Sequence, residues 1–189
     1  MENRKEKQEK FMAPKKNNTM MYVGIVVLLV LAITSSIYFT KQPTGGSENV
    51  AAYNIGNTVA YEQPVEMTDV TNTVNAGKVS IDLEEVKKAG IVYTEYNQNG
   101  KKVALTAWVA QNGELSSAVS LCEPCRGYKF HIEGNDLVCN ACGTRWTLDT
   151  LQGISGGCLT YPPDRLKYEV VDGKILLDEA QIQAWKPRV

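Results

Sequence analysis

All five cysteines of this chain fall within 37 residues: Cys122, Cys125, Cys139, Cys142 and Cys158. Their order is C-x2-C, 13 residues, C-x2-C, 15 residues, C. A C-x2-C turn points both sulfurs to one side, and two such turns facing each other complete a tetrahedron. Cys122, Cys125, Cys139 and Cys142 are therefore expected to share one metal ion or cluster. Gly143, directly after the second pair, permits the left-handed backbone that brings main chain close to sulfur. In the first pair Arg126 intervenes before Gly127, so that turn reads as the less regular one. The loop Gly153-Ile-Ser-Gly-Gly157 then returns Cys158 towards the site as a fifth cofactor-binding candidate: a ligand, a supporting thiol or a small buried residue.

Four thiolates suit zinc and iron–sulfur clusters alike. Zinc would make a closed, redox-silent structural ribbon, and a cluster would make an electron carrier. Disulfides are the third reading, but five is an odd number. His131, the only histidine, lies in the alternating stretch Tyr128–Ile132 and is expected to face solvent rather than a metal. A Rieske centre needs two histidines on one iron, so the slight likeness of Cys142-Gly-Thr-Arg-Trp-Thr-Leu-Asp-Thr150 to such domains does not extend to that chemistry. With one His there is no nucleophile–base constellation, and no catalytic residue is assigned. Trp108, Trp146 and Tyr128 are expected to pack in the core, and Asp164-Arg165 to form a solvated turn.

The formal net charge is −1, but it is unevenly spread. Residues 1–19 carry six basic groups against three acids, leaving the remainder at −4. That body offers no basic face to nucleic acid. Met20–Phe39 contains 20 residues without a charge, which as a helix is about 30 Å long, the thickness of the bilayer's hydrocarbon core. Tyr22 and Tyr38 stand near its ends, where aromatic rings favour the interface, and the basic flank keeps the N-terminus cytoplasmic. A cleaved signal peptide is the alternative, but the apolar run is long for one and Thr34-Ser35-Ser36 is a poor cleavage site. The expected organisation is a cytoplasmic basic tail (1–19), a single transmembrane helix (20–39), an extracytoplasmic linker (40–77) and a cysteine-rich domain (78–189). Val59–Val65 is the one stretch of the linker that reads as a strand.

Within 78–189 the pattern is mainly β with small helices (α+β). Val79–Asp82, Ile91–Tyr96 and Lys102–Ala110 read as strands, with turns at Asn97–Gly100 and Gln111–Gly113. Asp82 is placed to cap a short helix over Leu83–Ala89, with Glu85 in its first turn and Gly90 as its stop. Lys167–Val171 and Lys174–Leu177 flank Asp172-Gly173, a two-residue hairpin signal, and Asp178 caps a last helix ending near Trp185.

Residues 78–177 resemble the FtrD-like family of membrane iron–sulfur proteins. The resemblance is carried by Leu121-Cys-Glu-Pro-Cys125, Gly127-Tyr128, Glu133-Gly-Asn-Asp-Leu-Val-Cys-Asn-Ala-Cys-Gly143, Gly156-Gly157-Cys158, Pro162-Pro163 and Tyr168-Glu-Val-Val-Asp-Gly-Lys174. It implies a membrane-attached redox protein with an iron–sulfur cofactor, zinc being the alternative. It also implies association with a membrane metal permease or another redox partner.

Overall fold

Short alternating apolar runs broken by Gly and Asn turns favour strands over long helices. Thirteen strands and two helices form among residues 52–189, the part of the chain that the computed structural model describes. Strands β1 (Val65–Glu66), β2 (Thr68–Asp69), β3 (Thr73–Asn75) and β4 (Lys78–Asp82) precede helix α1 (Leu83–Ala89). Next come β5 (Ile91–Gln98), β6 (Lys101–Val109) and β7 (Leu115–Val119), then β8 (Phe130–Glu133), β9 (Asp136–Cys139), β10 (Arg145–Thr147) and β11 (Gly153–Ser155). The hairpin β12 (Tyr168–Val171) and β13 (Lys174–Asp178) leads into α2 (Glu179–Ala184). The transmembrane span expected at Met20–Phe39 lies outside the described residues. Among the described residues no helix is long and apolar enough to cross a membrane.

The strands make three sheets, ordered β1-β8-β9-β10-β11, β12-β13-β4-β3 and β2-β5-β6-β7. Every pairing is antiparallel except β2 with β5. Helix α1 starts where expected: the Asp82 carboxylate accepts the Glu84 N–H at 2.9 Å and the Glu85 N–H at 3.3 Å, satisfying donors that a helix start leaves free. Asp178 does the same for α2 through the Ala180 N–H at 3.2 Å.

Alternation along β6 sorts its side chains into two cores. Val103, Leu105, Ala107 and Val109 join Val79, Ile81, Ile175 and Leu177 of the β12-β13-β4-β3 sheet, with Val86 of α1 and Ile182 of α2. Trp108, on the other face, and Ala110, just past the strand, join Phe130, Ile132, Leu137 and Trp146 of the cysteine-bearing sheet and Leu148 after β10. The β5–β7 sheet is thus the shared wall of both cores.

Over its described part, the stretch expected as a linker is built into the domain. Here β1 pairs with β8, β2 with β5 and β3 with β4. Ile55, Val59, Val70 and Val74 pack on the first core, and Tyr61, Val65 and Met67 on the second. Of the Val59–Val65 strand candidate only Val65 is in a strand. The physical reason is length: strands of two or three residues with half-exposed side chains leave no period to read.

Candidate metal centre

The β8–β9 hairpin assembles the site. Its turn at Gly134-Asn135 sets Phe130 opposite Cys139, and the Asn140 N–H continues the pairing to the Lys129 carbonyl at 3.0 Å. The pair that precedes β8 therefore comes to rest beside the pair that follows β9. The two turns are built alike. The Cys122 N–H donates to the Gly127 carbonyl at 2.8 Å, and the Cys139 N–H to the Thr144 carbonyl at 3.0 Å, each closing over five residues. The residue after the second cysteine is left-handed in both, Arg126 at φ 55° and Gly143 at φ 68°. The first turn is consequently as regular as the second, against expectation, because Arg126 adopts that conformation itself. Gly127 meets a different demand: a Cβ there would lie 2.8 Å from both Cys139 Sγ and the Ala141 Cβ.

All five sulfurs gather. Cys122 Sγ lies 3.9 Å from Cys142 Sγ, Cys125 Sγ 3.7 Å from Cys139 Sγ, and Cys142 Sγ 3.9 Å from Cys158 Sγ. Cys122, Cys125, Cys142 and Cys158 have sulfurs that all lie within 4.8 Å of one another. Cys122, Cys139 and Cys158 are buried, while Cys142 reaches the surface. Among the convergent residues there is no imidazole and no carboxylate. Such an all-sulfur donor set fits zinc or iron and does not suit calcium or magnesium.

Cys158 is held in place by Thr144, a fully buried residue that was not anticipated. The Thr144 hydroxyl accepts the Cys158 N–H at 3.2 Å and lies 3.2 Å from Cys142 Sγ. Gly156 lies so close that a Cβ would stand 2.5 Å from this hydroxyl. Trp146 secures the same loop from the core, its Nε1–H donating to the Leu159 carbonyl at 3.0 Å. Burial pushes the Cys122, Cys139 and Cys158 thiols up. Burial also opposes ionisation of Cys142, but hydrogen bonds from the Thr144 hydroxyl and N–H, joined by those from the Cys125 and Cys139 thiols, outweigh it and bring Cys142 down to about 6. A thiolate is thus favoured at the exposed corner.

The remaining candidates fall outside the sulfur group. His131 holds Asn140 of the second pair, Nδ1 to Oδ1 at 2.7 Å, and is half-buried rather than solvent-facing. Trp108 and Trp146 are core residues as expected, but Tyr128 is 49% exposed. Asp164 and Arg165 are not a free turn. Asp164 accepts the Trp185 indole N–H at 2.8 Å and pairs with Arg188 at 3.1 Å, while Arg165 donates to Ser116 Oγ at 2.9 Å. Glu123, inside the first C-x2-C, is buried and grips the chain end through Arg188 Nε at 2.5 Å and the Val189 N–H at 3.1 Å. A charged residue between two cysteines gave no sign that its partner would lie 65 positions away.

Fold and site together define a small β domain organised around an all-cysteine group that could hold a metal. The model of one protein family, described as membrane iron-sulfur containing protein FtrD-like, matches residues 86–189, and the chain belongs to that family. No curated protein matches the chain.

Proposed function

We propose that this protein is a membrane-anchored, extracytoplasmic electron-transfer component whose iron–sulfur centre is bound by thiolates among Cys122, Cys125, Cys139, Cys142 and Cys158. The carrying observation is the convergence of the sulfurs at a corner where Cys142 is exposed. Electron transfer needs an edge of the centre near solvent, whereas a structural ion is served equally well in full burial. When bound, iron supplies a one-electron couple, tuned by hydrogen bonds to sulfur and by solvent access. The family's membrane character and the apolar run Met20–Phe39 support a single-pass anchor with a cytoplasmic N-terminus. A membrane metal permease or a respiratory protein is the partner class this reading implies.

The second reading is a zinc-stapled module without redox activity, and the same all-sulfur donor set supports it. One experiment separates the two. Full-length protein extracted anaerobically from the membrane fraction is expected to be coloured, to contain iron, and to bleach reversibly on reduction. One zinc per chain with no iron would leave the structural module instead.

A further inference from the structure

We infer that the end of the β5–β6 hairpin is the docking groove for an extended, acidic segment of the partner protein, which adds to the free edge of β6 at Lys102. The inference deepens the proposed function, because it names what the partner presents, and rests on that reading for the partner's being a redox protein.

The strand edge is open. β6 runs from Lys101 to Val109, but β7 covers it only from Leu105 to Val109. One further bond forms before Leu105, from the Ser120 N–H to the Ala104 carbonyl at 2.8 Å. The chain then leaves the sheet, the Leu121 N–H turning back onto the Val119 carbonyl at 2.9 Å. Backbone groups alternate in direction along a strand. The Lys102 N–H and carbonyl therefore point the same way as those of Ala104, and among the described residues no backbone group pairs with them. An edge of this kind accepts an added strand.

A groove lies along that edge. A cavity of about 330 Å³ is bounded by Lys102 and Ala104 on one side and by Trp185, Lys186 and Pro187 on the other. A second, of about 340 Å³, shares Lys102, Ala104 and Tyr128 with it and reaches Tyr93 and Glu95. Lys101 fixes the tail that forms the far wall, its Nζ donating to the Gln183 carbonyl at 2.6 Å and the Trp185 carbonyl at 2.5 Å. Charge selects the occupant. Residues 20–189 have a net charge of −4. Yet Lys101, Lys102 and Lys186 line the groove against one carboxylate, Glu95, which Lys102 pairs at 2.8 Å. Lys129 stands over the Tyr93 ring at 3.5 Å, paired with Asp69. A basic groove on an acidic body is complementary to a segment bearing carboxylates. Position ties the groove to the centre. Ser120, where the sheet pairing ends, also holds the Tyr128 carbonyl through its hydroxyl at 2.7 Å. Tyr128 directly follows Gly127, where a Cβ would stand 2.8 Å from Cys139 Sγ and 3.3 Å from Cys125 Sγ. A segment seated against Tyr128 is thus one chain position from backbone packed on the sulfurs.

The test uses the full chain in detergent micelles and, as the probe, a fluorescent peptide of alternating glutamate and valine. The peptide is expected to bind at a single site, more weakly as salt is raised, and to slow amide exchange at Lys102. Lys186→Glu changes an exposed side chain at the rim and should weaken binding about 5-fold or more. The same peptide with its edge-facing backbone nitrogens methylated keeps its charge but cannot pair as a strand, and should lose most of its binding. A lysine–valine peptide should not bind. No binding at millimolar peptide would overturn the inference and leave the lysines as guards of a free edge. Equal binding by the methylated peptide, or equal affinity in Lys186→Glu, would overturn it as well. So would protection of the Lys102 amide without peptide in chains that run as dimers, since a second copy would then cover the edge. Peptide binding to a chain that carries zinc and no iron would support the groove while ending the electron-carrier reading, so the two fail separately.

Discussion

Thr144 shows how much one buried hydroxyl can organise. It takes the Cys158 N–H and faces the Cys142 sulfur, joining the last cysteine loop to the second C-x2-C turn. When Cys142 is a thiolate the hydroxyl donates to it, so both of its hydrogen-bonding roles are used. Thr144→Val keeps the shape but leaves the Cys158 N–H without a partner, at a cost of about 1–3 kcal/mol. Denaturant unfolding should show that loss, and metal affinity should fall about 10–100-fold as expected for a partner supporting a ligand. Thr144→Ser should recover most of both. Equal metal competition curves for wild type and Thr144→Val would remove Thr144 from the site.

At the scale of elements, residues 52–64 are joined to β6 by one side chain in particular. The Tyr61 hydroxyl donates to the Val109 carbonyl at 2.7 Å, and its ring lies where a Cβ on Gly90 would be, 2.9 Å from the ring edge. Tyr61→Phe should cost about 1 kcal/mol through the lost hydrogen bond. The pH dependence has a defined sign. Burial pushes the Tyr61 hydroxyl up to about 12, above the unfolded value of about 10. Its contribution is therefore complete below pH 10 and is lost as pH rises towards 12. Thermal unfolding between these limits should fall more steeply for wild type than for Tyr61→Phe. Parallel curves would show that the hydroxyl does not titrate in the folded protein as burial requires.

For the described domain as a whole, the expected start at Lys78 is too late. A fragment covering 78–189 loses β1, β2 and β3, together with the partial burial of Ile55, Val59, Tyr61, Val65, Met67, Val70 and Val74. Each half-buried apolar side chain contributes about 1 kcal/mol, so the loss is several kcal/mol against a total stability of about 5–15 kcal/mol. A fragment covering 52–189 should unfold cooperatively at a distinctly higher temperature than 78–189. The shorter fragment should also leave the Phe130 N–H, opposite Cys139, without the Met67 sulfur that accepts it. Equal midpoints would show that the N-terminal strands are decoration.

The capped helix at Leu83–Ala89, the long hairpin of β5 and β6, the Asp172-Gly173 hairpin and the meeting of two C-x2-C turns were all legible in the sequence. Each rests on local causes: a side chain capping the next turn, a period of two, a glycine at a turn. Other features depended on partners far along the chain. The second buried face of β6, where Trp108 meets the cysteine-bearing sheet, has no period that sets it apart from a solvent face. The short strands before Lys78 are too brief to pattern, and Glu123 is explained only by Arg188 at the other end of the domain. At the centre, spacing determined that sulfurs would gather, because a C-x2-C turn aims its own two thiols. Whether the fifth sulfur, Cys158, joins them depends on where Thr144, Gly156 and Trp146 hold its loop, and only packing in three dimensions decides that.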